Sequence, residues 1–269
     1  MQIAGREVSG IGLGTAQFAF RDGSRQQSIE TVHAALDAGV QLIDTALAYT
    51  RPGEISYAER LVGDAIRGWS GAAPIIATKG GHFRDGDCFP IDGRPESLRA
   101  HCSISLRALG VERIDVYQLH HVDPAVPLAE SVGALEELRQ QGMIAAIGLS
   151  NVSTSQIDEA LAVAPIATVQ NRLSPEHRGD LATVVDCESR GIAYLAYMPF
   201  GGGKELPGAA VSAIAAARQV STQRVQLAWL RAWASNVLPL VGASRPTSIL
   251  DSAELIELDH DELAAITRV

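Results

Sequence analysis

Eight short apolar runs punctuate the chain, and each ends on polar residues. SGIGLGT ends at Thr15, VQLIDTA carries Asp44, PIIATK stops at Lys79 and IDVYQLH at His120. MIAAIGLS ends at Ser150, IATVQN reaches Gln170 and Asn171, GIAYLAY ends at Tyr197 and VLPLVGAS at Ser244. Each run is long enough for a strand and too short to span a membrane. Segments of helical period separate most of them. SIETVHAALDAG places Ile29, Val32, Ala35 and Leu36 on one face and stops at Gly39. RPESLRAHCSISLRALG starts with Pro95 in its first turn and stops at Gly110. LAESVGALEELRQQG ends at Gly142, with Ser131, Glu136, Glu137 and Arg139 expected on its wet side. STSQIDEALAV opens at Ser153 or Thr154, and DLATVVDCESRG stops at Gly191.

Strand and helix alternating eight times predict an α/β fold, a (β/α)8 TIM barrel whose active site forms at the C-terminal ends of the strands. Two helical segments, AAVSAIAAARQV and TQRVQLAWLRAWA, share the connection before the last strand. RPTSILDSAELIEL and DHDELAAITRV close the chain as helices. Residues 2–8, around Ala4-Gly5, read as an N-terminal β-hairpin that plugs the barrel floor. Two long connections, 46–59 and 80–93, would stand at the mouth of the cleft and shape the substrate space.

Bulk properties narrow the function. With 269 residues, 46% apolar and 20% charged, the chain is expected to form a single barrel domain over 1–269. A net charge of −9 without a basic patch argues against nucleic acid or an anionic membrane as partner. Cys88, Cys102 and Cys187 are odd in number and widely spaced, as expected of reduced thiols in a cytoplasmic protein. MQIAGREVSG lacks the apolar stretch of a secretion signal.

The strand ends carry a chemistry. Asp44, Tyr49, Lys79 and His120 are aimed into one cleft. A lysine ammonium favours ionisation of a neighbouring phenol, and a carboxylate behind the lysine keeps it charged. A histidine beside them can orient a carbonyl oxygen. The set amounts to a proton donor facing a polarised carbonyl, suited to completing a hydride transfer, and hydride requires a cofactor.

These residues stand in stretches that resemble the aldo-keto reductase family over nearly the whole chain: GLGTA (12–16), D-x-A-x-x-Y (44–49), YAERLVGDAI (57–66), IATKGG (76–81), SLRALGVERIDVYQLH (105–120), GLSN (148–151), VQNRLS (169–174) and AYMPFGGG (196–203). The resemblance implies a nicotinamide-dependent reductase of aldehydes or ketones, or an oxidase of the corresponding alcohols. Tyr49 would be the general acid, tuned by Lys79 and Asp44, with His120 orienting the carbonyl. Strand alternation separates His120 from His121 without saying which face is inner, so the choice of His120 rests on the family motif. Ser150, Asn151 and Gln170 match positions that bind the nicotinamide carboxamide, and Tyr197 matches the ring that stacks on the nicotinamide. Gly14, Thr15 and Asp44 approach the cofactor, as do Met198, Phe200 and Gly201 in the pyrophosphate loop and Gly242, Ser244 and Arg245 after the last strand. Ala16, Phe18, Phe83 and His121 fall at substrate positions.

The chain departs from the family at Met198, where a Ser is usual, and at Ile249, where an Arg usually clamps the adenosine 2′-phosphate; Ser252-Ala253 replace a polar pair. Arg245, with Ser244, Thr247 and Ser248 at a helix start, offers another anion site, so NADPH is expected, with NADH the alternative. A non-catalytic family member that keeps only the fold is a competing reading, opposed by the intact Asp44, Tyr49, Lys79 and His120. A metal-dependent hydrolase built on His120, His121 and Asp123 is disfavoured because no second ligand cluster is visible, and no metal is expected. The partner is then a small carbonyl compound whose identity the sequence leaves open, acted on by a monomer.

Overall fold

The structure, a computed structural model, describes residues 1–203 and 206–268. Lys204, Glu205 and Val269 lie outside the described residues, the last being the end of the final predicted helix. The eight predicted runs form strands β3 (Gly12–Gly14), β4 (Leu42–Asp44), β5 (Ile75–Gly80), β6 (Ile114–Leu119), β7 (Ile144–Ser150), β8 (Ile166–Arg172), β9 (Ala193–Tyr197) and β10 (Val237–Gly242). They pair in parallel in the order β10-β3-β4-β5-β6-β7-β8-β9 and close into a barrel. Ahead of them, β1 (Gln2–Ile3) and β2 (Arg6–Glu7) form the expected antiparallel hairpin. Its turn residues Ala4 and Gly5 both have positive φ, the two-residue turn that matches strand twist.

The helices are α1 (Ala16–Phe20), α2 (Arg25–Asp37), α3 (Tyr57–Arg67), α4 (Pro95–Leu109), α5 (Leu128–Gln140), α6 (Thr154–Leu161), α7 (Leu181–Ser189), α8 (Ala209–Arg218), α9 (Thr222–Trp233), α10 (Pro246–Ala253) and α11 (His260–Thr267). Ser153 caps α6 in a full capping box with Gln156. None of these helices is long and apolar enough to cross a membrane. Ser131 departs from its expected place on the wet side of α5: it is 1% exposed, and its hydroxyl donates to the Gly93 carbonyl at 2.7 Å. The long connection after β5 folds back through bridges His82–Ile91 and Asp85–Cys88 and rests there on α5.

Two apolar cores result. The larger lies between barrel and helices. The smaller fills the barrel's lower half with Leu42, Ile75, Ala77, Val116, Leu195, Leu238 and Leu240, and the hairpin's Ile3 and Val8 close it from below. Because side chains alternate along a strand, the same inner face that carries these apolar residues carries polar ones two positions higher. Leu42 leads to Asp44, Ala77 to Lys79, Val116 to Gln118 and His120, and Leu195 to Tyr197. This parity places His120 on the inner face. The register sets Lys79 beside Gln118, and Gln118 beside Gly148.

Candidate active site

The polar layer is built around one buried ion pair. Lys79, 0% exposed, donates from Nζ to Asp44 Oδ2 at 2.7 Å, to the Thr45 carbonyl at 2.9 Å and to Tyr49 Oη at 3.3 Å. An ammonium has three donors, and all three are used. Burial alone would push the lysine's pKa down, but Asp44 and Tyr49 together hold it above its ordinary value. The other carboxylate oxygen, Asp44 Oδ1, accepts from Gln170 Nε2 at 2.7 Å and Gln118 Nε2 at 3.3 Å.

Because Lys79 can only donate, Tyr49 Oη is an acceptor in that bond, and the phenolic proton is left to point elsewhere. Tyr49 lines the cleft, so the proton faces it. Burial raises the phenol's pKa, Lys79 lowers it, Asp44 raises it, and the net shift is upward. The lowering expected from the sequence is therefore outweighed: a phenolate loses more on leaving water than one ammonium, itself paired with a carboxylate, returns. Tyr49 is a fully protonated acid at neutral pH. His120 stands edge-on to it, with ring centroids 5.8 Å apart. Burial first, then the charge of Lys79 and the neighbouring His82 and His121 rings, hold His120 well below its ordinary pKa, so the ring is neutral.

A cleft of about 1040 Å³ opens above this layer. Of the sequence-predicted residues, Gly14, Ala16, Asp44, Tyr49, His120, His121, Ser150, Asn151, Gln170, Tyr197, Met198, Phe200, Gly242, Ser244 and Arg245 line it. Lys79 sits behind Tyr49, and Thr15 is buried beneath the cleft with its hydroxyl donating to the Asp44 carbonyl at 3.0 Å. Gly202 lines the wall where Gly201 was expected. Two of the residues expected at substrate positions lie off the cleft lining. Phe18 is 2% exposed and turns into the outer core, because α1 directs Phe20 to the cleft instead. Phe83 packs on His101 with centroids 5.3 Å apart, away from the lining.

The donors and acceptors left over at the cleft suit an amide. Gln170 spends its NH2 on Asp44, which leaves its carbonyl oxygen as an acceptor. Ser150 Oγ accepts from Asn151 Nδ2 at 3.0 Å, which leaves its hydroxyl proton to donate. Asn151, at φ 58, also gives Nδ2 to the His120 carbonyl at 3.0 Å and accepts from Tyr197 Oη at 2.7 Å, so its side chain holds the strand ends together. Asn is among the residues that tolerate this left-handed conformation. At the far end, Ser244, Arg245, Thr247 and Ser248 surround the start of α10. Ile249 is fully buried and faces the core.

Sequence reasoning missed Gln17, Phe20, Arg21 and Gln223 on the cleft wall and Gln118 beneath it. Gln118 stands two residues before His120 on the inner face, and that parity is the signal that would have found it. Glu59, on α3, was also missed as a buried acid. Its Oε1 accepts from Thr78 Oγ1 at 2.6 Å behind β5, its Oε2 has no partner among the described residues, and burial raises its pKa.

The chain is similar to known proteins. The model of the aldo/keto reductase family matches residues 10–208. An uncharacterized oxidoreductase of Schizosaccharomyces pombe is 33% identical over 224 residues, covering 82% of this chain and 71% of its own. Pyridoxine 4-dehydrogenase of Escherichia coli is 30% identical over 277 residues, covering 97% of this chain and 94% of its own. Among solved structures, an aldo/keto reductase from Klebsiella pneumoniae in complex with NADP and acetate superposes with a TM-score of 0.82 at 28% identity, over 97% of this chain and 91% of that one. The match runs through the strand ends that carry Asp44, Tyr49, Lys79 and His120, and the chain belongs to the aldo/keto reductase family.

Proposed function

We propose that this protein is an NADPH-dependent reductase of aldehydes or ketones, and the oxidase of the corresponding alcohols in reverse, with Tyr49 as its general acid. One observation carries the reading: Lys79 spends every donor on Asp44, Thr45 and Tyr49, so the phenol's own proton is presented to the cleft. A carbonyl oxygen lodged between Tyr49 and His120 meets a proton donor and a neutral imidazole. Tyr49 gives up its proton as negative charge grows on that oxygen, and Lys79, fixed beside it, stabilises the phenolate that remains. A bound nicotinamide supplies the hydride. Ser150 and Gln170 match its carboxamide in donor and acceptor, Tyr197 offers a ring face, and the cleft continues to the helix start at Arg245.

NADPH rather than NADH is read from that far end. Arg245 is exposed and has no acidic partner among the described residues, and the amides opening α10 favour an anion. The relative from Klebsiella pneumoniae binding NADP agrees with this choice. The intact relay from Asp44 to Tyr49 opposes a role confined to binding. We further read the protein as a cytoplasmic monomer with one barrel domain, which light scattering on the eluted peak checks.

The test follows oxidation of the reduced cofactor against a panel of carbonyl compounds. The panel includes pyridoxal on account of the Escherichia coli relative. Tyr49→Phe is expected to lower kcat by roughly 10²–10⁴-fold, the usual share of general acid catalysis, with NADPH binding intact. Reduction within a few-fold of the parent would remove Tyr49 from this role.

A further inference from the structure

Three imidazoles meet at the substrate end of the cleft, where the sequence shows only an adjacent pair. His82 arrives from the folded loop after β5, and His120 and His121 end β6. Ring centroids are 4.8 Å apart for His82 and His120, 4.8 Å for His82 and His121, and 4.9 Å for His120 and His121, the last two stacked within 12°. One ring nitrogen of each lies within 4.8 Å of the others.

Two nitrogens at this point are unaccounted for. His82 Nε2 bonds the Phe89 carbonyl at 3.1 Å. A carbonyl only accepts, so Nε2 carries the proton and Nδ1 presents a bare lone pair. That Nδ1 is buried without a partner among the described residues. His120, 7% exposed, likewise buries Nδ1 with no partner among them. Asp123 turns its two carboxylate oxygens to the Gly93 and Ala125 amides. Burial holds all three rings below the ordinary histidine pKa, His121 at about 4, so they are neutral at pH 7.

We propose that His82, His120 and His121 form a binding site for a divalent transition cation, Zn2+ being the probe, and that the bound cation blocks the carbonyl end of the cleft. Neutral imidazoles suit zinc, whereas the lack of carboxylate ligands disfavours magnesium and calcium. Zinc–nitrogen bonds are about 2.0–2.1 Å, so two ligands of one tetrahedral ion stand about 3.3–3.4 Å apart. Nitrogens as much as 4.8 Å apart must therefore draw together by up to about 1.5 Å, and the stacked rings of His120 and His121 must turn so that their nitrogens converge. The Phe89 carbonyl then acts as the outer partner that fixes the His82 tautomer.

Calorimetric titration of the metal-free protein with zinc chloride tests this. The parent should bind one equivalent, and His82→Ala and His121→Ala should each weaken binding by at least about tenfold, a loss of one ligand exceeding that of an outer partner. Cobalt(II) should give the visible absorption of a tetrahedral site in the parent, which needs no variant. Cys88, exposed in the same loop, is the competing ligand, and Cys88→Ser should leave affinity unchanged. No saturable binding, no cobalt band, unchanged affinity in both histidine variants, or loss in Cys88→Ser overturns the site. Blockage of the carbonyl end rests on the reductase reading: zinc should raise the apparent KM for the carbonyl without moving the Kd for NADPH. If metal-free enzyme reduces no carbonyl while zinc still binds, the reductase reading fails and the site stands. If reduction proceeds and zinc neither binds nor inhibits, the site fails alone.

Discussion

Replacing Lys79 by Met removes a buried cation from the polar layer beneath the cleft while keeping the volume of the side chain. Its ammonium makes hydrogen bonds at 2.7, 2.9 and 3.3 Å and is wholly buried. At 2.7 Å the gross attraction to Asp44 is about 6 kcal/mol at an effective dielectric of ~20. The net loss is smaller, because the lysine no longer bears its own desolvation. Asp44 keeps two amide donors on Oδ1 and, among the described residues, none on Oδ2. A buried pair broken in this way costs about 3–5 kcal/mol. The near-isosteric exchange adds less than about 1.5 kcal/mol of repacking. Urea unfolding at pH 7 should therefore show a large fall in midpoint for Lys79→Met. Adding Asp44→Asn, which retains an acceptor for Gln170 and Gln118 and removes the stranded charge, should recover about 2 kcal/mol. A cost under about 1 kcal/mol for the single variant, or a double variant no more stable than the single, would refute the reasoning.

Arg245→Ala should weaken NADPH binding by about tenfold or more, as expected for loss of a charge-assisted bond to phosphate, and leave NADH binding unchanged; fluorescence titration of both cofactors checks it. In Gly148→Ala the new Cβ would meet Thr168 Oγ1 and lie 2.6 Å from Gln118 Cγ, so the variant should lose about 1–3 kcal/mol in urea unfolding. Glu59 has its folded pKa raised by burial, so its contribution to stability is full below the ordinary carboxylate range and is lost as pH rises through the folded value. Glu59→Gln should accordingly gain stability relative to the parent as pH rises, seen as diverging unfolding midpoints, and parallel curves would reject the assignment.

The strand ends were readable in the sequence because two local signals coincide there. Apolar runs stop where the barrel's inner face turns polar, and the period of two carries Ala77 to Lys79 and Val116 to His120. What could not be read depends on relations between elements. Gln118 reaches Asp44 only because the sheet register brings β6 beside β5. Phe18 and Phe20 are equally plausible on paper, and the crossing of the short α1 over the barrel decides which is buried. His82 becomes a neighbour of His120 only when the loop from 80 to 93 folds back on itself. The upward shift of the Tyr49 pKa is hidden for a related reason: sequence shows the neighbouring charge and conceals the desolvation that outweighs it.

The N-terminal hairpin has a consequence for proton traffic. Ile3 and Val8 stopper the barrel, the Met1 amino group is tied to the Val8 carbonyl at 3.1 Å, and a layer of aliphatic side chains lies between them and Lys79. Among the described residues the floor is thus closed. On the proposal that Tyr49 is the general acid, the proton it gives up is not replaced through the floor and returns by the mouth of the cleft. Recharging the acid and exchanging the ligand then share a single doorway, and whatever obstructs the one obstructs the other.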